Sequence, residues 1–522
     1  MTSRNLKLHT PKWDIGWFLL LQVGIMLLAI SRESFWIDEF WNAYFASLES
    51  VEQLYAGLSA PYGSQTPLHF IYGYFWVKFF PASEVGFRLS NLPLFVLGQA
   101  SLFWALRPYP RAFVYWFLAL CALHPMIWQY ANELRPYIMI HAGAQMILAY
   151  ILHLHAVIEN DARVSPLASV IFVAGSILLF GASLLGVFWV AAAFVYVTYL
   201  HCRHLDWSYL KARSILCLGC VFLVIIGFLT LYYVRSLLLG GGASRLASTT
   251  AATLLFDVYE LLGLSGLGPG RLELRETGLA TLGPYWIWLV AACTVILAAL
   301  ARGFLEAKSL LGARNFILLI ALGVAPAAII ILSGFLMHWR VLGRHMIATL
   351  PFLNLLFALG LAKLCESKQG HVWPLRSLIA VSFLLVFICS SLSMRFSDRH
   401  RKDDYRAAAA TAKQELAAGK RVWWAADALG ARYYQLPGVF DYMGELTNQH
   451  QPYACLDQAG VQAVSGASGA CLDKLLAPDV VILSKPETFD QSGAISEYLK
   501  RRNYAQAQEL PAFTIWRPAA PK

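Results

Sequence analysis

The sequence predicts a polytopic α-helical membrane protein carrying a small soluble α/β domain at its C-terminal end, and three observations lead there. The 522 residues are 58% hydrophobic and 14% aromatic but only 14% charged, against roughly 25% charged in an ordinary soluble domain. Apolar runs recur from residue 13 to residue 394, each near the ~20 residues that cross a hydrocarbon core about 30 Å thick. Beyond Met394 the composition turns abruptly to charged and small residues in a soluble pattern.

Taken in order, the apolar runs predict about eleven crossings, near residues 13–31, 85–106, 113–130, 136–153, 167–182, 184–200, 214–234, 284–301, 315–335, 346–364 and 375–394. The first has no small-residue cleavage site and leads into an acidic, tryptophan-rich segment, so it reads as a retained helix and not a signal peptide. With the N-terminus inside, 15 lysines and arginines fall in the short inside segments, against 10 in the longer outside segments before Arg395. The positive-inside rule therefore places the N-terminus in the cytoplasm and, with an odd number of crossings, the C-terminus outside, in an inner or plasma membrane. Residues 66–80 form a further apolar stretch that contains Lys78 and is rich in Tyr72, Tyr74 and Trp76. Counting it as a crossing would reverse every later loop, so it is read as an interfacial or re-entrant helix of the first outer loop.

These boundaries divide the chain into a transmembrane domain, 1–394, whose first outer loop is 32–84, and an outside domain, 395–522. In the latter, 403–416 and 495–502 read as helices, and 421–426, 480–483 and 513–516 as strands. Cys455 and Cys471 could pair there in an oxidising setting. The other seven cysteines lie in or beside apolar helices without metal-ligand spacing and act as small hydrophobes. The formal charge of +10 comes from basic residues scattered through short loops with no patch or stripe, which argues against a nucleic-acid partner.

Four polar constellations fall on the outside by this topology. Trp36-Ile37-Asp38-Glu39-Phe40-Trp41 puts two adjacent carboxylates just past the first helix. They suit either the first turn of an interfacial helix or a general base taking the proton of an attacking hydroxyl. Thr66-Pro67-Leu68-His69 is followed by Lys78, Glu84 and Arg88. Arg88 either pairs with Glu84 one turn earlier or binds a phosphate, whose oxygens match the guanidinium fork. Tyr130-Ala131-Asn132-Glu133-Leu134-Arg135-Pro136-Tyr137 links two apolar helices, and Glu133 and Arg135 either pair with each other or line the same cavity as Asp38. His338-Trp339-Arg340-Val341-Leu342-Gly343-Arg344-His345 sets two cations four residues apart, as an interfacial anchor or as a second phosphate contact.

The order of these segments, together with Ser83-Glu84-Val85-Gly86-Phe87-Arg88-Leu89-Ser90-Asn91-Leu92-Pro93, resembles the N-terminal half of the GT-C superfamily containing protein O-mannosyltransferases and lipid A aminoarabinose transferases. The likeness is specific over about residues 30–145, fainter at 340–351 and architectural elsewhere. It implies the GT-C fold and inverting transfer of a sugar from a polyprenyl-phosphate donor, with the first outer-loop aspartate, here Asp38, as base. The family's arginine corresponds to Arg88 and its Glu-x-Arg-Pro segment to Glu133 and Arg135. Thr66-Pro67-Leu68-His69 stands where the family often shows His-Pro-Pro-Leu, and nothing matches the basic residue that binds donor phosphate in the aminoarabinose branch, so Lys78 is a candidate only.

In the mechanism this implies, Asp38 takes the acceptor proton, with Glu39 or Glu133 as alternative base or orienting partner. Arg88, Arg135, Arg340, Arg344 and Lys78 offset phosphate charge, and Trp36, His69, Tyr137 and His338 line the substrate. No cofactor is required, and a divalent metal stays open. The partners are the lipid bilayer, the polyprenyl-phosphate sugar and a glycan, glycolipid or protein acceptor. Two rivals stand beside this reading: a lipid-linked sugar flippase or transporter, whose sites lie near the midplane on broken helices, and a polymerase or ligase using a pyrophosphate-linked donor.

Overall fold

The computed structural model describes residues 14–59, 66–205, 213–239, 248–366, 373–438, 457 and 460–519. The chain forms two compact units, one built from 1–30, 63–72 and 88–400 and the other from 31–62, 73–87 and 401–522.

The first unit is a helical bundle. Each of the eleven apolar runs falls on a helix. Among the described residues, seven helices are long and apolar enough to cross a membrane, and eight if Arg111–Leu123 and Pro125–Ala131, bent by 48°, make one span. Gly16–Ala29 and Pro166–Ala182 are shorter apolar helices. Trp286–Leu336 is a continuous run of 51 residues that, at 1.5 Å per residue, would reach ~77 Å, over twice the hydrocarbon thickness. Gly312, at φ 72 and ψ 155, breaks it into two halves of spanning length, using backbone space that a side chain would strain. Tyr137–Glu159 is the buried centre of the bundle. It packs on Pro166–Ala182 through facing glycines, since a Cβ on Gly143 would lie 2.7 Å from the Gly175 carbonyl oxygen, the small-residue contact that lets membrane helices approach closely. Ile215–Leu238 instead exposes most of its apolar surface, as a lipid-facing helix does.

Hydrogen bonds tie several interhelical connections together at one end of this bundle. Asn91 Nδ2 donates to the Glu133 carbonyl at 2.8 Å, and Tyr72 Oη donates to the Ser90 carbonyl at 2.8 Å. Thr249 Oγ1 donates to the Trp339 carbonyl at 2.6 Å and accepts from the Val341 amide at 3.0 Å. Arg399, past the last apolar helix, donates to the Gly266 carbonyl at 2.9 Å. These contacts bring the connections to one end of the bundle. Pro67–Trp76 has only ten residues, ~15 Å of helix and too short to cross.

The second unit holds a five-stranded sheet in the order β2-β1-β3-β5-β4, with β1 Val422–Ala425, β2 Val461–Ala463, β3 Val480–Ser484, β4 Tyr504–Leu510 and β5 Phe513–Pro518. β1 lies parallel to β2 and β3, whereas β5 runs antiparallel to β3 and β4. Trp423, Val481 and Leu483 pack one face against Leu472, Ile495 and Leu499. On the other side Tyr405 meets Phe513 at 4.7 Å and Phe40 at 4.9 Å between ring centroids, so the helix Ile37–Ala46 joins this core. A Cβ on Gly430 would lie within 2.9 Å of both Tyr405 and Phe40. The segments 31–59 and 73–87 thus belong to the unit that holds the sheet, whereas hydropathy grouped 32–84 with the membrane helices by chain continuity. Glu84 shows the same: its Oε1 accepts from Arg406 Nη2 at 2.5 Å and from Tyr434 Oη at 2.9 Å.

The helices expected at 403–416 and 495–502 appear as Tyr405–Ala417 and Ala494–Arg501, and the three expected strands as β1, β3 and β5. β2 has three residues and too little pattern to read, and β4, Tyr-Ala-Gln-Ala-Gln-Glu-Leu, is an exposed edge strand without an apolar face. Cys471 is disulfide-bonded, and its expected partner Cys455 lies outside the described residues.

One-sided clustering of the connections predicts a labelling pattern. A cysteine replacing exposed Ser248 is expected to react with an impermeant maleimide from one face of sealed vesicles, and one replacing exposed Arg163 from the other, with the unsubstituted chain as blank. Reaction of both from the same face would overturn the alternation.

Candidate functional site

Within the helical unit, ionisable side chains gather where the connections meet. The helix Ala251–Leu261 lies outside the apolar spans and opens on a Thr250–Thr253 capping box, which satisfies its first amides. Asp257 and Glu260 follow one turn apart, both buried, so they share a face. Gly270 then lets the chain pass close to the Arg399 backbone, because a Cβ there would lie 1.8 Å from the Arg399 carbonyl oxygen, and Arg271 follows directly.

Arg271 Nη2 donates to Glu260 Oε1 at 2.7 Å and to Tyr130 Oη at 3.3 Å, and its Nη1 lies 4.0 Å from Glu133 Oε1. The two glutamate side chains are each 3% exposed, but the arginine is 41% exposed. One guanidinium therefore compensates two buried carboxylates while keeping part of its surface open to a ligand. Gly343 closes over Glu260: a Cβ on it would lie 2.4 Å from Oε2. The next residue, Arg344, together with Arg340, acts on Asp257. Burial, and then the negative charge of Glu260, push the Asp257 carboxyl up to about 7 against the opposing pull of the Gly343 amide, Arg340 and Arg344.

Of the residues singled out in the sequence, Glu133 joins this network, and Arg340 and Arg344 flank it. Arg135 donates to Tyr137 Oη at 2.9 Å and lies 5.4 Å from that ring's centroid, and the Tyr137 ring sits 4.4 Å from Tyr130. His69 is buried; burial, with the nearby Arg135 charge second, lowers its pKa to about 3, so it stays neutral at physiological pH. Arg88 is fully buried. His338 and Arg340 are exposed, and His338 holds a positive φ of 53.

The second unit carries the others. Asp38 sits half-buried in the first turn of the helix Ile37–Ala46, with Asn42 Nδ2 donating to its backbone carbonyl at 3.0 Å. Glu39, fully buried, receives Lys402 Nζ at 2.9 Å. Lys485 pairs with Asp403, and its ammonium stands 6.0 Å from the centre of the Trp36 ring. Lys78 is exposed, 4.4 Å over the Tyr74 ring and beside the exposed Phe79, the arrangement of an interfacial anchor.

Arg271, Glu260, Asp257 and Lys402 escaped the sequence reading. Two acids spaced i, i+3 in an otherwise apolar eleven-residue helix were the available signal for Asp257 and Glu260. Arg271 had none, since its partners lie 11 and 138 positions away along the chain. Among the described residues, no group of three or more His, Cys, Asp or Glu side chains is arranged to hold a metal ion.

No family model and no curated protein matches the chain. Among solved structures, ArnT from Cupriavidus metallidurans in the apo state is similar over 96% of this chain and 98% of that one, with 14% identity and a TM-score of 0.54. ArnT bound to undecaprenyl phosphate covers 98% and 99% with 14% identity and a TM-score of 0.49. The arabinofuranosyltransferase AftD from mycobacteria aligns with 98% of this chain and 40% of its own length, at 14% identity and a TM-score of 0.45. The likeness to apo ArnT shows the fold: this chain has the GT-C architecture that its motif order implied.

Two outcomes follow from this geometry. Gly343→Ala forces a methyl group against Glu260 and is expected to cost about 1–3 kcal/mol, the range for overpacking, read as a lower unfolding temperature. For Asp257, a folded-state pKa near 7 against the ordinary 3.8 means that the folded state binds its proton more tightly. Its stabilisation is then complete below about pH 4 and is lost as pH rises through about 7. Asp257→Asn should flatten that loss and unfold at a higher temperature than the parent at about pH 8, and a parent curve already flat over this window would contradict the assignment.

Proposed function

We propose that the chain is an inverting glycosyltransferase that moves a sugar from a polyprenyl-phosphate donor to a glycan, glycolipid or protein acceptor on the extracytoplasmic side of an inner or plasma membrane. The observation that carries this reading is Arg271, held between buried Glu133 and Glu260 yet 41% exposed, with Arg344 in the neighbouring connection. A phosphate leaving group needs a preorganised cation that need not reorganise as charge develops. A guanidinium already oriented by two carboxylates supplies one.

In this mechanism the acceptor hydroxyl oxygen attacks the anomeric carbon from the face opposite the phosphate. The carbon–oxygen bond to the phosphate breaks, its electron pair leaves with polyprenyl phosphate, and the configuration inverts. Asp38 receives the hydroxyl proton. Glu39 receives Lys402 and serves orientation, and Asp38 takes the base role that the resemblance implies. Arg271, Arg344 and Arg340 balance the departing phosphate, and Glu133 positions Arg271. A flippase or transporter would be expected to hold its charges near the midplane, whereas this cluster is built from connections at one end of the bundle. The extracytoplasmic placement rests on the basic residues counted on the opposite side.

The test is turnover of purified protein with polyprenyl-phosphate hexoses and pentoses, read as release of polyprenyl phosphate. Asp38→Asn is expected to keep donor binding and lose at least ~100-fold in transfer, the low end for a missing general base. Arg271→Gln should lose roughly 10- to 150-fold, equivalent to a charge-assisted contact of about 1.5–3 kcal/mol. Arg271→Lys should recover part of this, because an ammonium cannot reproduce the fork. Full activity of Asp38→Asn would remove it as base, and no turnover with any polyprenyl-phosphate sugar would overturn the reading.

A further inference from the structure

A second cationic site lies in the helical unit, at the end opposite the acid–arginine cluster. A cavity of about 330 Å³ opens between the last turn of Gly186–His204 and the break at Gly312, lined by Tyr199, Arg203, His204, Gly312, Arg314 and Asn315. Among the described residues, no carboxylate lines it. Glu306, nearby on the same long helix, is engaged with Arg302 at 3.4 Å and Lys363 at 3.7 Å. The Arg314 guanidinium stacks 4.9 Å from the Tyr199 ring centroid, which restricts its orientation before any ligand arrives. The break also starts a new helix at residue 313, whose N-terminal end carries partial positive charge.

Depth separates this cavity from the first site. Gly334 packs against Val341 and Thr249, at the end where the ionisable cluster sits. Residues 313–336 lead from there to the cavity, ~36 Å of helix, about one hydrocarbon core plus part of a headgroup layer. Leu310 and Ile317, on either side of the break, are each 63% exposed. Exposed apolar flanks beside a cationic cavity match the boundary between acyl chains and headgroups, where basic pockets between membrane helices bind anionic lipids.

We propose that this cavity binds the phosphate of an anionic membrane phospholipid, with Arg203 and Arg314 as its ligands. Arginine forks suit phosphate oxygens, and the apolar flanks would take the first part of the acyl chains, which a soluble phosphate lacks. The site is independent of the transfer reaction and of the residues assigned to it.

The experiment is native mass spectrometry of the full chain in mild detergent, titrated with phosphatidylglycerol or phosphatidylcholine. The parent is expected to retain phosphatidylglycerol at least ~10-fold more tightly than phosphatidylcholine, and Arg203→Gln with Arg314→Gln to abolish that preference, as loss of charge-assisted contacts requires. Millimolar inorganic phosphate should not displace the lipid. Equal retention of phosphatidylglycerol by parent and variant would overturn the proposal, as would equal binding of the two lipids. Displacement by inorganic phosphate would assign the cavity to a free anion instead. Should the glutamine pair fail to fold, Arg203→Lys with Arg314→Lys carries the test: weakened but still selective binding supports the site, and unchanged affinity overturns it.

Discussion

Charge buried in an apolar bundle has to be compensated where it stands, and the pairing of Arg271 with Glu133 and Glu260 meets that demand at the meeting point of the connections. Leaving either carboxylate without a cation would cost several kcal/mol, so the segments that carry these three residues are bound to one arrangement. The glycines around them serve the same end. Gly343 admits Glu260, and Gly270 brings the chain under Arg399 so that Arg271 emerges at the right place. Asn91 fixes the turn that carries Glu133 through its backbone carbonyls, independently of the glutamate's own charge.

The second unit solves a different problem by similar means. Its sheet buries apolar residues on both faces of β1 and β3, as strands in a parallel arrangement do, and needs a cover on each side. Aromatic packing of Phe40 and Tyr405, with Glu39 bound to Lys402, enlists the segment after the first helix as part of that cover. The candidate base Asp38 therefore stands on a helix held by a folded core rather than on a free loop, and precise placement of a catalytic carboxylate demands such support.

Much was legible before any coordinates. Composition and eleven apolar runs are enough for the helical architecture, because bilayer thickness sets a length that hydropathy can measure. Basic-residue asymmetry argued against counting residues 66–80 as a crossing, and the helix found there has ten residues, too few to span a bilayer. Motif order pointed to the GT-C fold, and of the residues it singled out Glu133 stands beside Arg271. Short or edge strands such as β2 and β4 left no pattern, because β2 is only three residues long and β4 exposes most of its side chains.

By itself, the sequence determined the helical membrane architecture, the change of character after residue 394 and the loops in which chemistry would be sought, since all of these depend on local composition and on lengths along the chain. Only the tertiary structure decided which charges meet. Glu84 goes to Arg406 across 322 positions and to Tyr434 across 350, Glu39 goes to Lys402 across 363, and Glu133 goes to Arg271 across 138. Pair energies fall off with distance in space and carry no memory of separation along the chain, so partners this remote leave no trace in local spacing.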